Sequence, residues 1–259
     1  SSVAHTSMDF FKKTAGGWVY SKIPKNKNWK TQHCWSIEGK KAFNLCKNIL
    51  PFLIEKKKEA ELFCDFLSHP FNEKGQVLIE TMREIRITSN LTKDTYQYPN
   101  KSQTNVASSE QDFAYLAGYI DAEGCIGISK YMPKHKPNHC YKIRLTIGSC
   151  DPIVIEWIYK RFGGSISFVS KTNKNPRWRN QIQWSISCKK CHQILLGILP
   201  FLILKKEVCE KAIEFYNTKL KHGERNSLCF RQRYSNVLMV REKLLHRIHL
   251  LNLKGSYVV

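Results

Sequence analysis

Acidic residues are scarce in this sequence: 21 Asp and Glu face 42 Lys and Arg, a formal net charge of +21. Self-repulsion on that scale works against compaction, so a fold gains nothing from it. A polyanionic partner accounts for the excess, and nucleic acid is the first candidate. Long apolar runs are missing too. None reaches the ~20 residues of a membrane-spanning helix, and the longest, Ile194 to Leu204, is broken by Gly197 and Pro200. No basic amphipathic segment stands apart to grip an anionic membrane, and no signal-peptide pattern opens the chain. An intracellular protein with no membrane partner is expected. The ten cysteines have no framework spacing, which predicts reduced, mostly buried thiols. One CxxC occurs, Cys188 to Cys191, followed by His192, without the second pair that a zinc knuckle needs. Two incidental strand-end cysteines are expected there.

What is present is an internal repeat. Trp29–Phe66 aligns without gaps on Trp178–Phe215 at an offset of 149, with 17 identities in 38 positions. The centre of the match is Ile49-Leu-Pro-Phe-Leu-Ile against Ile198-Leu-Pro-Phe-Leu-Ile. Upstream the offset is 147, which lays Gly16-Gly17 on Gly163-Gly164. Fixed-offset self-similarity means a tandem pair of related structural units. With hydrophobic residues at 42%, each can fill a core.

The second unit can be read element by element. Gln111–Ala122 is apolar at helical spacing, through Phe113, Leu116, Ala117 and Ile120. Cys125–Tyr131 and Tyr141–Ser149 alternate with period two, as strands do. Asp151-Pro152 opens a helix that runs to Phe162, and Gly163-Gly164 ends it. Strands Ser165–Ser170 and Trp178–Ser187 follow, then helices Cys191–Leu199 and Lys205–Asn217. The order is αββαββαα. The expected fold class is α+β: tandem αββαββα repeats forming a pseudo-two-fold saddle of antiparallel sheets backed by helices. The first repeat covers 1–90, a polar linker 91–110, the second repeat 111–217, and a helical extension 218–259.

Strand parity puts Ile143, Leu145, Ile182 and Trp184 on one face of the sheet. Lys142, Arg144, Arg179, Gln181 and Gln183 fall on the other, as do Lys30 and Gln32 of the first repeat, together with Cys34 and Ser36. Basic and amide side chains of this kind grip phosphates and read base edges in the major groove. An ordinary solvated face would mix both charge signs, and acids are nearly absent here.

The first helix of the second unit reads Leu116-Ala-Gly-Tyr-Ile-Asp-Ala-Glu-Gly124, continued by Cys125-Ile-Gly-Ile-Ser. This closely resembles the signature of the LAGLIDADG homing endonucleases. Ala117, Gly118 and Ala122 are small enough for two helices to pack closely, and Gly124 releases the chain at the helix end. The resemblance implies a monomer of two fused repeats that cuts a long, nearly palindromic double-stranded DNA site across the minor groove. It implies Glu123 as the metal-binding carboxylate, holding Mg²⁺ or another divalent cation such as Mn²⁺ with scissile-phosphate oxygens. It also implies Lys205 as the basic residue beside the active site, with Lys56 matched to it through the repeat. Asp151 falls where a polar residue positions attacking water; its first-repeat counterpart is Ala4. A first signature helix would map more than thirty residues ahead of Ser1.

Three functions are compatible with these residues: a metal-dependent DNA endonuclease, a maturase that binds its host intron RNA, and a non-cleaving structural protein of an organellar ribonucleoprotein. Glu123, Lys56 and Lys205 favour the endonuclease, and a mitochondrion or chloroplast is the expected compartment.

Overall fold

A computed structural model describes residues 5–24, 31–68, 76–81, 84, 96–99, 108–132, 134, 139–170, 179–218 and 230–253. Lys30, the Lys171–Pro176 turn and most of the 91–110 linker lie outside them. The fold is α+β, with antiparallel strands backed by helices. Close contacts divide the chain into two compact units. One comprises Ser1–Asn100, Ser149–Trp157 and Ser167–Ile182; the other Lys101–Gly148, Ile158–Ile166 and Gln183–Val259.

In the first repeat the elements are α1 (His5–Ala15), β1 (Trp18–Lys22), β2 (Gln32–Ser36), α2 (Gly39–Ile49), a 3₁₀ turn at Leu50–Phe52, and α3 (Lys57–Ser68). In the second they are α4 (Glu110–Glu123), β3 (Gly124–Tyr131), β4 (Cys140–Ser149), α5 (Pro152–Phe162), β5 (Ser165–Val169), β6 (Gln181–Ser187), α6 (Cys188–Ile198), a 3₁₀ turn at Leu199–Phe201, and α7 (Lys206–Asn217). The extension forms α8 (Phe230–Asn252). At the offsets read from sequence, α1 falls on α5, β1 on β5, β2 on β6, α2 on α6 and α3 on α7. The 3₁₀ turns coincide because the shared Pro51 and Pro200 sit at matching positions in them.

Small details repeat as well. Trp35 Nε1 donates to Gly16 O at 2.7 Å, and Trp184 Nε1 donates to Gly163 O at 2.6 Å. Both indoles hold the positive-φ Gly-Gly turn that ends the preceding helix. At Gly164 a Cβ would stand 2.7 Å from Trp184 Nε1 and 2.8 Å from Ser185 O, so only glycine fits there. Another contact is kept with its partners exchanged. Cys46 Sγ donates to Ala60 O in the first repeat, and Cys209 Sγ to Leu195 O in the second.

The α6 helix starts at Cys188, three residues earlier than the apolar spacing predicted, so Cys188 and Cys191 are helical and not strand-end residues. Cys188 has φ 60°, and among the described residues no other non-glycine has a positive φ. Its repeat counterpart is Gly39, also at φ 60°. The strand-to-helix corner therefore demands a left-handed residue, which costs an L side chain ~1–2 kcal/mol. Cys188→Gly should stabilise the protein by about 0.5–1 kcal/mol, because glycine's extra unfolded-state freedom offsets part of that relief. A thermal melt checks it; an unchanged or lowered Tm would mean the corner is unstrained.

Burial differs between the repeats. In α6, Cys191, Ile194, Leu195 and Ile198 are buried, whereas α2 has no buried residue. Ile198 is 0% exposed and its counterpart Ile49 40%; Ile158 is 0% exposed and its counterpart Phe11 41%. The reason lies in the layers present. Helix α4 packs on α6, and β3 and β4 complete a four-stranded sheet ordered β3-β4-β6-β5. Among the described residues of the first repeat the sheet has two strands, β1 and β2, and nothing corresponds to α4. Two strands alone bury little apolar surface.

Strand β3 stands at the edge of its sheet, and α8 packs against it and against α7. Asn252 Nδ2 donates to Ile126 O at 2.8 Å, Lys130 Nζ donates to Glu242 at 2.7 Å, and Tyr141 OH also bonds Glu242. A covered edge is closed to pairing with another chain. Among the described residues no helix is long and apolar enough to cross a membrane.

Candidate active site and nucleic-acid interface

The signature segment is the second half of α4. Ser109 caps its start: Ser109 Oγ accepts from Asp112 N–H, and Asp112 Oδ2 accepts from Ser109 N–H at 2.8 Å. This reciprocal box was legible in Ser109-Glu-Gln-Asp112 and sets the helix start one residue earlier than periodicity alone. Arg161 Nη1 reaches the same Asp112 oxygen at 3.2 Å. Leu116, Ala117 and Ile120 are fully buried. At the other end a Cβ on Gly124 would stand 2.7 Å from Ile120 Cα, so the chain leaves the helix there with no room for a side chain.

Glu123 is the last residue of α4, and it is exposed. Asp121, two residues before it, has a different task that sequence reasoning missed. Its carboxylate accepts three consecutive backbone N–H groups, from Ile203 at 2.7 Å, Leu204 at 3.1 Å and Lys205 at 2.8 Å. These N–H groups belong to the turn that leads into α7, and Lys205 is the N-cap of that helix, so the carboxylate also lies near its positive end. The signal was there, in an acid at the fourth-last position of the signature, but its partners lie over 80 residues away.

Lys205 answers from the other side. Its Nζ donates to Ile120 O at 2.6 Å and Asp121 O at 2.9 Å, placing a cation on the carbonyl end of α4. Burial pulls its ammonium below the usual lysine range, against the opposing pull of Asp121, Cys125 and Glu123. The helix end thus has a carboxylate facing solvent, and a half-buried lysine locked beside it by an acid that is itself saturated with N–H donors.

Lys56 stands differently. It is 63% exposed and pairs with Glu59 at 3.0 Å and Glu55 at 3.9 Å. Burial alone would lower its pKa, but Glu59, Glu55 and Asp151 outweigh that and raise it. Asp151 caps α5: its Oδ1 accepts from Ile153 N–H at 2.9 Å, while its own N–H donates to Ser149 Oγ at 3.0 Å.

Along β4, Ile143, Leu145 and Ile147 are buried while Lys142, Arg144 and Thr146 are half-exposed. Along β6, Ile182, Trp184 and Ile186 are buried while Gln181, Gln183 and Ser185 are half-exposed. Arg179, just ahead of β6, and Gln32, the first residue of β2, are exposed. Cys34, on the same parity as Gln32, is buried, as a thiol tends to be but not as the open-face parity predicts. Its cross-strand partner is Tyr20, with Trp18 and Lys22 on the diagonals, and these large side chains shield a short thiol. In α6, Cys191 is a core residue whose thiol burial pushes up to about 12, Cys188 is exposed, and the His192 ring stacks on Tyr216 at 4.1 Å. Among the described residues no three His, Cys, Asp or Glu side chains converge as metal ligands.

No protein-family model matches this sequence, and no curated protein matches it. Solved structures do match in fold. The meganuclease I-AabMI bound to uncleaved DNA is 14% identical with a TM-score of 0.54, over 91% of this chain and 84% of that one. The I-LtrWI LAGLIDADG homing endonuclease bound to target DNA is 17% identical with a TM-score of 0.51, over 93% and 83%. A variant of I-SmaMI is 16% identical with a TM-score of 0.50, over 96% and 83%.

Proposed function

We propose, on the premise that this chain has the fold of the LAGLIDADG homing endonucleases, that it is a site-specific double-strand DNA endonuclease acting by metal-dependent phosphodiester hydrolysis. The observation that carries this reading is the foot of α4, where Glu123 faces solvent beside a lysine held in place by Asp121.

Mg²⁺ keeps several waters and takes one or two carboxylates plus phosphate oxygens. An exposed hard carboxylate at a helix end fits that need, and Glu123 would hold the ion. Once bound, the ion supplies charge neutralisation for the phosphate and a more acidic water. The protein's own residues do the rest. Lys205, fixed on the Ile120 and Asp121 carbonyls, presents a positive charge that needs no reorganisation as negative charge develops. Asp151 uses Oδ1 in its cap, so Oδ2 is the oxygen that could orient water. Lys56 is the corresponding cation of the first repeat. Lys142, Arg144, Arg179, Gln181, Gln183, Lys30 and Gln32 grip and read the duplex. In this reading the enzyme works as a monomer of two repeats, is intron-encoded, and belongs to a mitochondrion or chloroplast.

The test is selection from a randomised duplex pool, followed by cleavage with Mg²⁺, with Mn²⁺ and with chelator. The expected outcome is a long, near-palindromic target, cut on both strands with short 3′ overhangs only when metal is present and still bound in chelator. Tight binding of the selected duplex without cutting in any metal would replace this reading with the non-cleaving one, in which the same surface holds intron RNA or a ribonucleoprotein.

A further inference from the structure

On the basic side of the second repeat's sheet lies a cavity of about 510 Å³, lined by Lys142, Arg144, Lys190, Ser165, Ser185 and Ser187, with Gly164 and Ile186 completing the wall. No acidic residue lines it. Each wall has a reason to be there. Lys142 and Arg144 alternate with buried Ile143 and Leu145 on β4, and Arg144 lies opposite Gly127, which has no side chain to crowd it. Ser185 and Ser187 alternate with Ile186 on β6. Ser165 Oγ bonds Ser185 Oγ at 3.0 Å, which fixes both hydroxyls. Lys190 comes from the first turn of α6, and its Nζ stands 4.0 Å from where a Cβ on Gly163 would be. Ser187 is the N-cap of α6 but its hydroxyl makes no capping bond.

Three cations from two elements and three short hydroxyls suit the tetrahedral oxyanion of a phosphodiester. Lys and Arg also read base edges when they reach into the groove alone; here the short serine hydroxyls beside them are what suit a phosphate. Two of the matching positions in the first repeat differ. There Glu38 replaces Ser187 and Trp18 replaces Ser165, although Lys41 matches Lys190. An acid and an indole ring in those places disfavour an anion.

We propose that this cavity is a clamp for a backbone phosphate of duplex DNA, with Lys190 as its rim cation, and that Glu38 and Trp18 at the matching positions of the first repeat disfavour the same contact there. The proposal rests on the DNA reading above. It predicts that the two halves of the protein hold the DNA backbone unequally.

The experiment is fluorescence anisotropy of a labelled non-specific duplex across a salt series, with the full chain as wild type, Lys190→Ala, Ser187→Glu and Lys41→Ala. Lys190→Ala should weaken binding roughly five- to tenfold and flatten the log–log salt slope by about one. Ser187→Glu, which installs the first repeat's residue, should weaken it at least as much, and Lys41→Ala should leave the slope unchanged. The same factor should appear on every duplex sequence tried. An unaltered slope in Lys190→Ala, an equal loss in Lys41→Ala, or a loss confined to one base position would each overturn the clamp while leaving the DNA reading intact. A wild-type chain that binds duplex RNA and ignores duplex DNA would overturn the DNA reading itself. Circular dichroism of each variant separates loss of contact from loss of fold.

Discussion

Glu123→Gln should abolish cleavage while leaving DNA affinity within about threefold of wild type. Glutamine keeps the shape of the side chain but removes the charge that would hold a divalent cation against a phosphate. Metal assistance to phosphoryl chemistry is worth several kcal/mol, so its loss corresponds to a rate drop of about 10³-fold or more. Folding should be unaffected. Glu123 is exposed at the last position of α4, and surface substitutions away from caps and cores usually stay within ~0.5 kcal/mol. The measurement is single-turnover cleavage of the selected duplex with protein in excess, paired with anisotropy in chelator. A glutamine variant that cuts at the wild-type rate would remove Glu123 from the chemistry. Parallel loss of cutting and of binding would make it a DNA contact instead.

The second large effect is expected at Asp121. Hydrogen bonds to a charged group contribute ~1.5–3 kcal/mol each, less than additively when they share one carboxylate. Asp121→Ala strands three N–H groups at Ile203, Leu204 and Lys205. A loss of about 3 kcal/mol follows, or roughly 6–12 °C in Tm at this chain length. Asp121→Asn should fall between, because the amide keeps one acceptor oxygen and turns donors toward N–H groups that are already donors. The residue positions Lys205, so cleavage should fall in both variants at temperatures where they remain folded. That second readout separates a positioning role from mere support: a variant that melts early but cuts normally when cold would show that Lys205 does not depend on the cap. A melt within 1 °C of wild type for Asp121→Ala would mean that the three bonds do not hold the turn.

The repeat shows what local physics transmits faithfully. A Gly-Gly turn held by an indole, a proline-bearing 3₁₀ turn and a left-handed corner residue each recur because each is dictated by a few residues close in sequence. Charge and burial do not recur. Lys205 is half-buried and locked on carbonyls, whereas Lys56 sits in solvent with two glutamates. The pair matches in sequence and differs in environment, because the neighbours that set the environment come from other elements.

The αββαββαα order, the repeat offset, the apolar and polar faces of β4 and β6, and the place of Glu123 at a helix end are all legible in the amino-acid sequence. All of these follow from periodicity two, periodicity 3.6, and the backbone demands of glycine and proline, which act over a few residues. Packing of distant segments set the rest: Asp121 holds the turn ahead of a helix more than 80 residues away, Tyr20 shields Cys34, and Ser165, Ser185 and Lys190 meet Lys142 and Arg144 around one cavity. Those outcomes turn on which backbone donors are left without partners and which side chains stand across a strand pair. Such facts arise when distant segments pack, and no window of sequence contains them.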